Sequence, residues 1–183
     1  MKQKFNRIIA WHEKNLPAGL PYEPLPQIGF LIEELGEVNK EFIKGDIDAA
    51  VGEITDLIVF SVNAELLIEC GACLFDYDVL PKKTYKSDKE IVRELLRLVN
   101  NCGNSALFDC HPQYLANNYF DLIDGCCECI KSLGYSPEIA LEQTVLKIES
   151  RRGAWNDLIG KWAKEKNQED VYKPDYSLAK LNK

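Results

Sequence analysis

The stretch Gly29-Phe-Leu-Ile-Glu-Glu-Leu-Gly-Glu-Val-Asn-Lys-Glu-Phe-Ile-Lys44, which crosses Gly45-Asp46 and resumes as Val51-Gly-Glu-Ile-Thr-Asp-Leu-Ile-Val-Phe60, decides the fold. On a helix, Glu33, Glu34 and Glu37 share one edge through i,i+3 and i,i+4 spacings. Leu31, Ile32, Leu35, Val38 and Phe42 gather on the other side, the pattern of an amphipathic helix. The second segment is apolar almost all round, with Val51, Ile54, Leu57, Ile58, Val59, Phe60, Val62, Leu66, Leu67 and Ile68. Such a helix belongs in a core, so Glu53 and Asp56 within it must be paired or bound to something. Neither has a Lys or Arg three or four residues away in its own helix. If Gly45 folds the two helices antiparallel, the acidic faces meet around one small volume. Oxygen ligands at that density repel one another unless cations join them, and they suit magnesium or manganese.

Glu34-x-x-Glu37, a gap of fifteen residues, and Glu53-x-x-Asp56 resemble the metal motif of the all-α nucleoside triphosphate pyrophosphohydrolases. That superfamily takes in MazG, phosphoribosyl-ATP pyrophosphohydrolase and the dimeric dUTPase and dCTPase enzymes. Glu33 matches the extra leading glutamate of the MazG form. The resemblance implies Glu34, Glu37, Glu53 and Asp56 as Mg2+ or Mn2+ ligands, with Glu33 as a further ligand or as the group that orients or deprotonates water. It also implies hydrolysis at the α-phosphorus, yielding a nucleoside monophosphate and pyrophosphate. Family members work as dimers or tetramers, so a homodimer or homotetramer is the expectation here.

Positive charge for the leaving pyrophosphate would come from Lys147 and Arg151, i,i+4 partners near the end of the last long helix. This Lys-x-x-x-Arg resembles the element that closes the MazG site. Lys161, Lys164, Tyr172 and Lys173 in the tail resemble, more loosely, a phosphate-touching C-terminal segment. Asn63, Trp11 and Tyr172 are the candidates for base recognition.

The 183 residues carry a net charge of −7, which leaves no basic stripe for a nucleic-acid polymer. A nucleotide substrate is still compatible, because bound metal inverts the local sign. Met1 to Arg7 lacks the apolar core of a signal peptide, and the run from Leu57 to Leu67 is interrupted by Asn63 and Glu65. Seven cysteines, mostly within helical patterns, suggest reduced thiols and a cytoplasmic protein with no membrane span.

The expected architecture is all-α. Helices are expected over Lys2–Lys14, Gln27–Lys44, Ile47–Cys73, Ser87–Asn100, Tyr114–Leu133 and Ser136–Ser150. The prolines between Asn15 and Pro26 point to a connector, and Asn101–Pro112 reads as a polar link. Residues 1–152 form the helical catalytic domain, and the surplus segment of about 74–112 is either an insertion or half of an internal duplication. Residues 153–183 are read as a short helix over Trp155–Glu165 and a tail that packs on the domain or on a neighbouring subunit.

The competing reading is a non-enzymatic acidic helical protein that binds a partner. A zinc site at Cys70-x-x-Cys73 and Cys126-Cys127-x-Cys129 lacks the turn that zinc knuckles use. A di-iron bundle lacks its Glu-x-x-His pairs.

Overall fold

The computed structural model describes residues 1–19, 23–68, 83–108, 111–156, 161–165 and 168–181. Among the described residues six helices, α1 (Lys2–Asn15), α2 (Pro24–Lys44), α3 (Ile47–Ile68), α4 (Asp88–Leu107), α5 (Pro112–Ser132) and α6 (Pro137–Ser150), make the body. A hairpin of β1 (Gly153–Asn156) and β2 (Lys161–Lys164) and a 3-10 turn, Tyr176–Ala179, complete it. The central element is α3, which packs against α1, α2, α5, α6 and the 3-10 turn. Its Ala50, Val51, Ile54, Leu57, Ile58 and Val62 are wholly buried, as its near-continuous apolar sequence requires.

Local chemistry fixes the helix ends. Gly45 ends α2 in the left-handed region at φ 75, where its N–H donates to the carbonyls of Glu41 and Phe42. Asp46 then accepts from the Ala49 N–H and starts α3. This short link lays α3 back along α2, so that Phe30 stacks on Phe60 with centroids 5.2 Å apart. Ser87 and Ser136 cap α4 and α6 through side-chain oxygens, and Pro137 occupies the first turn of α6.

Four expectations need correction. Helix α2 starts at Pro24, earlier than Gln27, because a first turn tolerates prolines whose missing N–H would have no intrahelical partner. Helix α4 continues through Asn101 to Leu107. The polar residues there form its wet face, while Cys102, Gly103 and Ala106 are buried. Ile32 does not join the core side of α2 and is 59% exposed.

The fourth correction concerns the tail. Residues 153–156 and 161–164 pair as antiparallel strands and not as a helix, with Trp155 paired to Trp162 and Gly153 to Lys164. Gly153 admits the close approach of the Ala163 carbonyl and the Trp162 ring, which any Cβ would obstruct. Trp162 meets Trp11 of α1 edge-on at 5.1 Å, so the hairpin is anchored to the body.

The expectations for Cys70, Cys73, Cys110 and residues 75–82 lie outside the described residues. Cys102, Cys126, Cys127 and Cys129 are buried free thiols. Burial pushes Cys102 and Cys127 up to about 12, which makes them core residues and poor nucleophiles. No helix among the described residues is long and apolar enough to cross a membrane.

Candidate metal centre

The antiparallel pairing of α2 and α3 brings Glu34 from the first helix against Glu53 and Asp56 from the second. One carboxylate oxygen from each lies within 4.8 Å of the others. All three are half-buried. Burial first, then the charges of Asp56 and Glu53, push the Glu34 carboxyl up to about 8. Glu53 is raised for the same reasons, burial and then Asp56. Carboxylates that hold protons this tightly are under-neutralised, and a divalent cation meets the same need. The donor set is all oxygen, the chemistry of a hard cation and not of a soft metal.

Lys147 of α6 closes one side of the group. Its ammonium donates to Asp56 Oδ2 at 2.8 Å, with both side chains mostly buried. Burial works against that charge, but the charge of Asp56 overrides it and holds the lysine above its usual range. Arg151, the C-cap residue of α6, lies close enough to oppose that rise. The two cations expected to act together therefore occupy one end of one helix.

A cleft of about 370 Å³ opens beside the group, lined by Asp46, Asp48, Gly52, Glu53, Lys147 and Tyr176 among others. Its outer wall is the tail. Tyr176 donates or accepts at Thr144 Oγ1 (2.8 Å), which is bonded in turn to Thr55 Oγ1 at 2.5 Å, so three buried hydroxyls tie the tail, α6 and α3 together. The Tyr176 ring covers Gly52, where a Cβ would fall 2.6 Å from a ring carbon. Gly52→Val is therefore expected to displace the tail and cost about 1–3 kcal/mol of stability. Faster proteolysis within the tail would report it, and an unchanged cleavage rate would refute it.

The other sequence candidates are placed as follows. Glu33 is exposed beside the group, one residue before Glu34. Glu37 binds Lys40 at 2.6 Å and stands outside the three-carboxylate cluster. Asn63 sits two turns beyond Asp56 on the same face of α3, with Phe60 between them. Its side chain meets His12 of α1, whose imidazole is lowered by burial and partly restored by hydrogen bonding to Asn63. The Tyr172 hydroxyl donates to Gln143 Oε1 at 2.6 Å, which also accepts the Asp175 N–H. That bond pins the tail to α6. Lys173 is exposed, and the backbone places Lys161 and Lys164 at the two ends of β2.

Sequence reasoning missed Tyr176, Thr144 and Thr55. No charge or motif marks them, and the hydroxyl chain spans residues 55 to 176. It also missed the Lys147–Asp56 ion pair, although each partner was singled out separately.

Neither family models, nor curated proteins, nor solved structures return a match to this chain.

Proposed function

We propose that this chain hydrolyses nucleoside triphosphates at the α-phosphorus, releasing a nucleoside monophosphate and pyrophosphate, with magnesium or manganese held by Glu34, Glu53 and Asp56. The observation that carries the reading is the convergence of three half-buried carboxylates from two antiparallel helices, with Lys147 at their edge and a cleft beside them. When bound, the cation would lower the pKa of water and polarise the phosphoryl group.

The remaining work falls to side chains. Glu33 is exposed beside the cluster and serves as an additional ligand or takes the proton of the attacking water. Glu37 joins the ligands by releasing Lys40. Lys147, held in place by Asp56, and Arg151 at the helix end neutralise the pyrophosphate as its bond to the α-phosphorus breaks. Lys161, Lys164, Tyr172 and Lys173 stand in the hairpin and tail as further phosphate contacts. Asn63, beside His12 on the same face of α3 as Asp56, faces the base.

The test is pyrophosphate release from a panel of ribo- and deoxyribonucleoside triphosphates with magnesium, with and without a chelator. Chelator-sensitive formation of pyrophosphate and monophosphate in equal amounts supports the reading and selects the substrate. A folded protein that turns over none of the panel, or that releases orthophosphate, overturns it.

A further inference from the structure

Three buried hydroxyls join the tail to the body, and their protons run in one direction. Thr55 Oγ1 lies 2.7 Å from the Gly52 carbonyl, which can only accept, so the Thr55 proton is committed there. Thr55 must then accept from Thr144 Oγ1 at 2.5 Å, and that contact takes the one proton of Thr144. Thr144 in turn accepts from the Tyr176 hydroxyl at 2.8 Å. The order is Tyr176 to Thr144 to Thr55 to Gly52, and the phenolic proton is used at its head. Tyr176 Oη is left as an acceptor alone.

Anchoring the tail does not require this chain of hydroxyls. On one side of Tyr176 the Asp175 N–H donates to Gln143 Oε1 at 3.0 Å, and on the other the Ser136 N–H donates to the Ala179 carbonyl at 2.7 Å. Thr55 and Thr144 are fully buried and Tyr176 nearly so. Apolar side chains of the same shape would pack there at little cost. What the hydroxyls add is an oriented lone pair, and its neighbour is Lys147. Thr144 and Lys147 stand three residues apart on one face of α6, and both Lys147 and Tyr176 line the cleft. Burial pushes the Tyr176 hydroxyl up and the charge of Lys147 pulls it back, so the two groups lie within electrostatic reach.

We infer that Tyr176 is a positioning residue for Lys147: its oxygen, aimed by Thr144 and Thr55, is the acceptor to which the lysine turns when Asp56 is withdrawn from it. In this structure the ammonium donates to Asp56. The inference rests on the proposed hydrolysis for its purpose, though not for its geometry. In that reading Asp56 serves a cation as well as Lys147, so the lysine needs an acceptor that no metal claims. A neutral oxygen suits the task, because a second carboxylate would hold the ammonium away from the phosphates. Tyr176 steadies Lys147 at the cleft without neutralising it, and the full charge stays available as the pyrophosphate departs.

A double-variant cycle on the metal-free full chain, read by chemical unfolding, tests the contact without reference to activity. Asp56→Ala, or Asp56→Asn where the alanine variant does not fold, removes the charge that holds Lys147 first. Tyr176→Phe is therefore expected to raise the unfolding constant at least ~5-fold more in that background than in the parent. Adding Lys147→Met to both should erase the difference. An equal effect of Tyr176→Phe in both backgrounds is what a tail anchor gives, and it overturns the inference. In hydrolysis with magnesium, Tyr176→Phe is expected to lower kcat at least ~5-fold with KM within ~2-fold of the parent. Thr144→Val, which breaks the hydroxyl chain but keeps its shape, should do the same, and Thr144→Ser should retain the parental rate. A Tyr176→Phe enzyme with parental kcat also overturns the inference. If the parent itself turns over no triphosphate, the proposed function fails and the unfolding cycle alone decides the contact.

Discussion

Glu53→Gln and Asp56→Asn are each expected to lower metal-dependent hydrolysis by at least ~100-fold, while moving thermal stability in opposite directions. Losing a group that merely orients a metal ligand costs about 10–100-fold, and these two are ligands in the proposed site. Their other contacts differ. Glu53 has no described cation of its own, and its charge raises Glu34. Making it neutral relieves repulsion, so the metal-free variant should melt at or above the parent. Asp56 holds Lys147 at 2.8 Å, and the two side chains are 17% and 19% exposed. Its neutral replacement leaves a mostly buried ammonium without its partner and should destabilise by about 1–3 kcal/mol. Parallel activity and melting measurements read both effects. If Asp56→Asn melts no lower than Glu53→Gln, the ion pair is not the element that seats Lys147.

Metal binding at pH 7 is expected to release about one proton per site, and Glu34→Gln should abolish that release. Burial and the neighbouring carboxylates raise Glu34 from its ordinary 4.5 to about 8. A carboxyl raised in the folded state contributes stability that is complete below about 4.5 and is lost as pH rises through about 8. The metal-free protein should therefore weaken across this window, and Glu34→Gln should flatten the slope. Because the group is only half-buried, solvent screening limits the gain from the variant at pH 8 to about 1 kcal/mol. A saturating divalent cation should remove the same loss, since the metal requires the ionised form. Calorimetric titration in two buffers of different ionisation enthalpy counts the proton. An enthalpy independent of buffer would contradict the coupling.

Much of the site was legible because it rests on local spacing. Glu53 and Asp56 stood out as charges within an apolar helix, and the link at Gly45 implied that Glu34 would meet them. What joins distant segments was not legible: Lys147 reaches Asp56 across 91 positions, and no pattern within either helix announces it. The hairpin was hidden for a different reason. Trp155 and Trp162 are seven residues apart, a spacing that suits one helical face as well as a cross-strand pair. Strands of four residues give alternation too little length to decide between them. In α4 the polar run after Asn100 looked like a loop, because its small buried partners Cys102, Gly103 and Ala106 carry a weak apolar signal. Ile32 misled through the opposite fault: an apolar residue was assigned to the core because it was apolar.

The separation of Lys147 from Asp56 also has a temporal side. Synthesis proceeds from the N-terminus at about 5–20 residues per second, so roughly 5–20 s pass between the making of Asp56 and of the lysine that neutralises it. In that interval the nascent hairpin of α2 and α3 brings its acids together with only water, dissolved cations or a chaperone to moderate them. The supply of free divalent ions at the ribosome should then influence how readily this chain folds.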